Sequence, residues 1–480
     1  MIIRFFAWKG GFWLQDHAVD QTVENSFISA NWITGGHMKE VFQRSRMRLM
    51  ALLLFLFVGT LPLAGCGGGG GSDSYDEPDT STNNPPVVGQ TENVLIDAAT
   101  LKSWVDKGLV NNETGYEKVV ILCAGGTYAA GHIPGAQLWS TLGIDRYEGP
   151  VLSGNMVLDG PTMDAELQRC GIDERTTVVF AGSGNPARLY FTFRYWGFPK
   201  EKLKVLNGNQ AAWTAAGYEL TTVEPNVAAS TFSVRDLPAL RDDVRAALSE
   251  LIVGVEEGSV QPLNTLLNNT EKAGGTSGIF ADVAGDYVIF QGSIEGVAHV
   301  GYADFYVGGS PNNALKSADE IRALLESYGI DGSKPIITYC RAGNAASYGF
   351  MPIDVALGWD VMVYDGSWSQ FGSLTNQTGA AYVPDASYAL PTLLSEWATD
   401  VLITDHRLES NGPFFAGPYY NVNFPRTIEK PTFRILDGML SPYDADANSI
   451  EDEDYAYWAT PAAGGSDGAS SGGGAGGGGC

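Results

Sequence analysis

The pattern that most constrains the fold of this chain is a buried strand that turns directly into a helix, and it occurs twice. The first copy is the apolar run 176–180, followed by a glycine-containing loop and a helical segment over about 187–196. The second is 335–339, followed by a similar loop and the helical start 345–347. Apolar strands that alternate with helical segments are typical of a mostly parallel sheet covered by helices on both faces. Each copy therefore predicts one α/β domain.

A cysteine follows the second strand directly. The loop that begins at Cys340 is expected to curl its backbone N–H groups around the sulfur, and the N-terminus of the next helix adds partial positive charge. These features favour the thiolate, which is the nucleophilic form. A lone cysteine is more often an inert core residue, but this setting makes Cys340 the candidate catalytic residue. The loop residues predicted to bind substrate are Arg341, Ala342, Gly343, Asn344 and Ala345.

The sequence Cys-Arg-Ala-Gly-Asn-Ala of this loop resembles the active-site loop of the rhodanese (sulfurtransferase) family. The stretch Val-Tyr-Asp-Gly-Ser-Trp at 363–368 is similar to the segment that follows it in two-domain thiosulfate and mercaptopyruvate sulfurtransferases. The resemblance extends over about 94–373 and implies an α/β fold of two tandem rhodanese-like domains. It also implies that Cys340 carries a persulfide, formed from thiosulfate, mercaptopyruvate or another persulfide. Thiols, cyanide or sulfite would accept the sulfur, without a cofactor.

The two copies differ at the residue that matters for this chemistry. Ala181 stands in the first copy where the second has Cys340. Because alanine cannot accept a sulfur atom, the first domain, 91–224, is predicted to be inactive. Cys123 and Cys170 belong to this domain. Buried free thiols are expected for both, with a disulfide between them as the alternative in an exported protein.

The part of the family's pattern that binds an anionic donor is less well matched in this sequence than the active-site loop is. The family usually has an arginine soon after the aspartate of the first strand in the active domain. Counted from Asp282, that place is Ala284, and Asp286 lies nearby. A carboxylate there would repel a dianion, so the sequence predicts weak use of thiosulfate. His299 resembles the histidine of the family's Gly-His-Ile-Pro-Gly-Ala turn, where a structural role is expected, with a general base as the alternative.

The N-terminal region resembles a bacterial lipoprotein signal. Basic residues precede the apolar run 49–63, which ends in small residues and Cys66. The residues before Met38 do not fit such a signal, so 1–66 is interpreted as a signal peptide whose start is Met38 or Met47. Lipidation of Cys66 would then anchor the protein to a membrane of the cell envelope, and the outer membrane is favoured. An ordinary secretory signal that contains a cysteine is the alternative.

Composition limits the remaining possibilities. A net charge of −26 argues against nucleic-acid binding, and no Cys/His cluster has the spacing of a metal site. The acidic run 451–454 is expected to be a solvated face. The other predicted segments are a flexible linker 67–90, an interdomain connection 225–275, an active domain 276–375, an irregular C-terminal extension 376–461 and a Gly/Ser-rich tail 462–480.

Two other functions make different demands on this sequence. A cysteine phosphatase would need arginine six residues after its cysteine, and Ala346 stands there. The second alternative belongs to another class. In it the rhodanese-like domains form a non-enzymatic envelope lipoprotein that binds or assembles a sulfur-, selenium- or electron-handling surface complex.

Overall fold

The computed structural model describes residues 94–266, 292–375, 390, 392–405, 432–435, 438, 441–444 and 447–461. They belong to one compact unit of the chain, 84–480. The predictions for the signal peptide 1–66 with Cys66, the linker 67–90 and the tail 462–480 lie outside the described residues. Within the described part, no helix has the length and apolar character needed to cross a membrane.

The first half is a sheet of five parallel strands in the order β1-β7-β6-β2-β3. Strand β2, Lys118–Cys123, is buried along its whole length, which explains its apolar sequence after Lys118. The strands, with the hairpin β4-β5, are β1 Leu95–Ile96, β2 Lys118–Cys123, β3 Gln137–Leu138, β4 Ile144–Glu148, β5 Val151–Met156, β6 Thr176–Phe180 and β7 Leu203–Leu206. The helices are α1 Ala98–Asp106, α2 Gly160–Arg169, α3 Pro186–Tyr195 and α4 Asn209–Ala215.

The second half repeats this design with four parallel strands in the order β10-β8-β11-β12. An antiparallel pair, β9-β13, lies beside them. The strands are β8 Gln261–Asn264, β9 Gly292–Ile294, β10 Ala298–His299, β11 Ile336–Tyr339, β12 Val361–Val363 and β13 Ile403–Asp405. The helices are α5 Leu248–Glu257, α6 Ala318–Ser327, α7 Asn344–Pro352, α8 Ser367–Phe371 and α9 Ser449–Ala459. The predicted α/β class with parallel sheets is confirmed.

Strand β8 corrects the assignment of 225–275 as a connection, because it pairs with β11 in the middle of the second sheet. Its sequence, Gln-Pro-Leu-Asn, lacks the apolar run by which a buried strand is recognised. The first strand of this half therefore ends at Asn264, and the count from Asp282 was wrong. Asp282, Ala284 and Asp286 lie outside the described residues.

The interpretation of His299 was also wrong. In the first half, His132 of the Gly-His-Ile-Pro-Gly turn bridges Thr221 in antiparallel fashion. The corresponding antiparallel pair in the second half joins Ser293 to Thr404, so Ser293 occupies the place of His132. His299 lies instead in β10, opposite Asn264. Strand β13 shows that part of the C-terminal extension completes the second half.

The two halves share one hydrophobic core through the helices that follow the two equivalent loops, α3 and α7. The ring centroids of Phe191 and Phe350 are 5.7 Å apart, and those of Tyr190 and Phe350 are 6.2 Å apart. All three side chains are buried. Because α3 and α7 pack together, the two loops at their N-termini are held side by side.

Helix α9 is bound to the rest of the molecule by buried charges. The carboxylate of Asp454 accepts hydrogen bonds from Arg146, at 2.7 and 2.9 Å, and from the hydroxyl of Tyr195 at 2.9 Å. Glu451 accepts from Arg245 at 3.2 Å. The acidic run 451–454 is therefore not a simple solvated face, because two of its carboxylates are buried against arginines.

Candidate active site

Cys340 is the residue directly after β11, and its loop (340–343, the Cys340 loop) leads into α7. Its side chain is almost fully buried, with 3% of the residue exposed. The first turn of α7 contributes the partial positive charge of a helix N-terminus to this loop. The strand, loop and helix thus follow the order that the sequence predicts.

Gly343 closes the loop in a conformation that favours glycine. Its φ is +79°, in the left-handed region. A Cβ at this position would lie 2.7 Å from the carbonyl oxygen of Asp365. Any side chain would therefore push the Cys340 loop away from the segment 364–367 that supports it.

Ser367 links that supporting segment to the cysteine. Its Oγ accepts hydrogen bonds from the backbone N–H groups of Cys340, at 3.1 Å, and Gly343, at 2.9 Å. The hydroxyl donates to the carbonyl of Tyr364 at 2.9 Å and lies 3.9 Å from the Cys340 Sγ. A hydroxyl rotates easily, so the same proton is within reach of a negatively charged sulfur. Ser367 itself has a φ of +53°, a strained conformation for a residue with a side chain.

Asp365 connects the supporting segment 364–367 to Val157 and Arg245. Its Oδ2 accepts from the backbone N–H of Val157 at 2.7 Å. Its Oδ1 accepts from the Nε of Arg245 at 3.1 Å and forms an ion pair with Nη2 at 3.0 Å. Arg245 is fully buried and also bonds Glu148 and Glu451. We call Arg245, Glu148, Asp365 and Glu451 the Arg245 cluster. Burial, opposed by Arg245, raises the pKa of Glu148 to about 7.

The residues of 341–345, which are predicted to bind substrate, differ in how far they are exposed. The backbone of Gly343 is buried and its N–H is engaged by Ser367, whereas Asn344 is exposed. Arg341, Ala342 and Ala345 are half-buried. The carbonyl of Arg341 accepts from the N–H of Ser369 at 2.8 Å, which ties the loop to α8. The N–H of Gly343 is therefore not available to the sulfur or to a bound anion, and fewer N–H groups of the loop can stabilise negative charge than the sequence predicts.

The first half has the same strand and loop without the nucleophile. Ala181 follows β6 as Cys340 follows β11. Cys123 and Cys170 are free and buried, so the alternative of a disulfide between them is wrong. Burial raises the pKa of both thiols, that of Cys170 to about 12.

The loop that follows Ala181 contacts the N-terminal part of α7. The side-chain amide of Asn185 donates to the carbonyl of Asn344 at 2.9 Å, and the hydroxyl of Tyr348 donates to the carbonyl of Gly184 at 3.1 Å. The loop of the first half therefore braces the N-terminal end of α7, the helix that follows the Cys340 loop.

Sequence reasoning did not assign roles to Ser367 and Asp365, although both lie in the segment 363–368 that it singled out. A serine after a glycine in that segment was an available signal, but nothing local indicates that its side chain points at Cys340. In the part of the chain that the structure describes, no group of three His, Cys, Asp or Glu side chains is placed to hold a metal ion.

Comparison with known proteins gives concordant results. A family model described as a rhodanese-like domain matches residues 264–374. The sulfur carrier protein TtuD of Thermus thermophilus is 30% identical over 257 residues, which cover 52% of this chain and 84% of that protein. A Haloferax volcanii protein assigned as a thiosulfate sulfurtransferase is 27% identical over 299 residues, covering 59% of this chain and 94% of its own.

Among solved structures, a 3-mercaptopyruvate sulfotransferase of Escherichia coli, SseA, is similar to 57% of this chain over 99% of its own length. The TM-score is 0.44 and the sequence identity is 18%.

Proposed function

The chain belongs to the rhodanese-like sulfurtransferases, and from this premise we propose that it transfers a sulfane sulfur through a persulfide on Cys340. The observation that carries the proposal is the placement of the Cys340 Sγ. It lies at the N-terminal side of α7, 3.9 Å from the Ser367 hydroxyl. The first half lacks a cysteine at the equivalent Ala181, so one site per chain is proposed.

The first step is attack of the Cys340 thiolate on the outer sulfur of a donor. With thiosulfate, the S–S bond breaks, sulfite leaves with the electron pair and Cys340 becomes a persulfide. With mercaptopyruvate, the C–S bond breaks and the leaving enolate takes up a proton to give pyruvate. No oxidant or reductant is needed in either case.

In the second step, a thiolate, cyanide or sulfite attacks the terminal sulfur, and the Cys340 thiolate leaves. Both states of the cysteine are anions. A hydrogen bond from Ser367, the charge of Arg341 and the N-terminus of α7 would stabilise them, and charge-assisted hydrogen bonds are worth about 1.5–3 kcal/mol each. Because the attacking and leaving sulfur atoms are anions, the reaction has little need of a general base, and it does not require a histidine beside Cys340.

The test is the mass of the purified protein after exposure to thiosulfate or mercaptopyruvate. The wild type should gain one sulfur atom, and cyanide should remove it with release of thiocyanate. Cys340→Ser should gain none, whereas Cys170→Ser should behave as the wild type. Addition of sulfur to Cys340→Ser would refute the assignment of the site.

The non-enzymatic alternative is an envelope lipoprotein that acts within a surface complex. It has less support, because the relatives compared above are named for sulfur transfer or sulfur carriage. Anchoring through Cys66 is a separate proposal that rests on the order of basic, apolar and small residues before that cysteine.

A further inference from the structure

Arg188 lies in the first turn of α3, the helix that follows the loop of Ala181. Its side chain is fully buried. The Nε donates to the carbonyl of Leu142 at 3.1 Å, and Nη2 donates to the carbonyl of Asn155 at 2.5 Å. The guanidinium packs against the ring of Phe191, with 5.1 Å between Cζ and the ring centroid. These contacts, all within the first half, hold the group in one orientation.

The third nitrogen of Arg188 faces the other half. Nη1 is buried, and among the described residues it has no hydrogen-bond partner. It lies 3.1 Å from the point where a Cβ on Gly343 would stand. A buried donor without a partner is destabilising, so this orientation calls for a role beyond packing.

The charge of Arg188 is only partly balanced by its nearest carboxylate. Asp365 lies 3.8 Å from Nη2, but this carboxylate already accepts hydrogen bonds from Arg245 and from the N–H of Val157. Burial lowers the pKa of Arg188, while the negative charges of Asp365 and of an ionised Cys340 raise it. The side of the guanidinium without a hydrogen bond faces the Cys340 loop, since Nη1 points toward Gly343.

We propose that Arg188, contributed by the half that has Ala181 in place of a cysteine, is a positioning residue of the Cys340 site. Its buried guanidinium supplies fixed positive charge behind the Cys340 loop, which favours the anionic sulfur and selects donors that carry a negative charge. The substrate-class part of this inference rests on the proposed function. The electrostatic part concerns only the thiol and can be measured without sulfur transfer.

The test compares alkylation of Cys340 by iodoacetate, an anion, and by iodoacetamide, which is neutral. Both reagents consume the same thiolate, so the ratio of their rates cancels changes in ionisation and reports the local potential. In Arg188→Gln the iodoacetate-to-iodoacetamide ratio should fall about tenfold, the scale expected for one nearby buried charge. Arg188→Lys should restore part of the ratio.

A matched control is available on the same helix. Arg194 is also buried, but it pairs with Asp354, at 3.3 Å. Arg194→Gln should leave the ratio unchanged even where it destabilises the fold. An unchanged ratio in folded Arg188→Gln would overturn the inference, and an equal fall in Arg194→Gln would do the same.

If Arg188→Gln does not fold, the half-buried Arg341 can be removed instead. At 1 M salt, the iodoacetate-to-iodoacetamide ratio of Cys340 in Arg341→Gln should stay above the ratio of a small free thiol. The reason is that salt screens exposed charges but screens the buried charge of Arg188 far less. A ratio equal to that of the free thiol would overturn the inference.

Sulfur transfer is then assayed separately. Wild type that shows the charge-dependent ratio but never gains sulfur would contradict the proposed function and leave the role of Arg188 standing. Sulfur gain with a ratio unaffected by Arg188 would contradict only this inference.

Discussion

Ser367 should be the residue whose loss slows formation of the persulfide most without removing the nucleophile. Its hydroxyl lies 3.9 Å from the Cys340 Sγ, and we expect it to turn toward the sulfur when the sulfur is negatively charged. A charge-assisted hydrogen bond is worth about 1.5–3 kcal/mol, which corresponds to about a 10- to 150-fold lower rate in Ser367→Ala.

The same substitution should also lower the free energy of unfolding. The N–H groups of Cys340 and Gly343 lose their acceptor in a buried site, at a cost of at least about 2 kcal/mol. Because Ser367 has a φ of +53°, Ser367→Gly should be more stable than Ser367→Ala by about 1 kcal/mol. The two variants should nevertheless show the same loss of rate, since neither has a hydroxyl.

The rate is measured in a single turnover, with the donor that loads the wild type and mass detection of the added sulfur. Stability is measured by urea unfolding. Ser373→Ala is the matched control, since Ser373 is buried six residues further along the chain and its Oγ donates to the carbonyl of Gln370 at 2.7 Å. A wild-type rate in Ser367→Gly would refute the reasoning, because it would separate the hydroxyl from the chemistry.

Three further predictions concern other parts of the chain. At neutral pH, Cys340 should be alkylated before Cys123 and Cys170, whose raised pKa keeps those thiols protonated; equal rates in peptide mapping would contradict this. Labelling with a fatty-acid analogue should mark the wild type and not Cys66→Ala, and unlabelled wild type in a soluble periplasmic fraction would count against the anchor. Burial raises the pKa of Glu148 to about 7 in the folded protein. The contribution of this protonated carboxyl to the free energy of unfolding is therefore fully present below about pH 4.5. It is lost as pH rises toward 7, by up to about 3 kcal/mol. Urea unfolding at several pH values should show a weaker loss of stability over that range in Glu148→Gln, and identical slopes would rule this out.

The Cys340 site was predictable from the sequence because its parts are contiguous. A strand, a glycine-containing loop and a helix start within 335–347, and local preferences suffice to recognise such an arrangement. The alanine at position 181, where the second copy has Cys340, was equally visible because the two copies can be compared residue by residue.

The remaining features depend on contacts between distant segments. Strand β8 is recognised only by its pairing with β11, since a short strand with glutamine, proline and asparagine has no apolar run of its own. The carboxylates of α9 are buried because Arg146 and Arg245 lie opposite them, 308 and 206 residues away in sequence. No local rule separates such an acidic run from a solvated one.

The Arg245 cluster has a consequence for the order in which the protein is made. Arg245 leaves the ribosome 120 residues before Asp365 and 206 residues before Glu451. At about 5–20 residues per second, about 10–40 s pass before Glu451 is available to it. After Asp365 has been made and until Glu451 follows, the support of the Cys340 loop lacks one of its buried ion pairs and the surface under α9 is uncovered. Nascent chains of this length are therefore expected to engage chaperones, and a premature stop codon before α9 would impair a cysteine more than a hundred residues upstream.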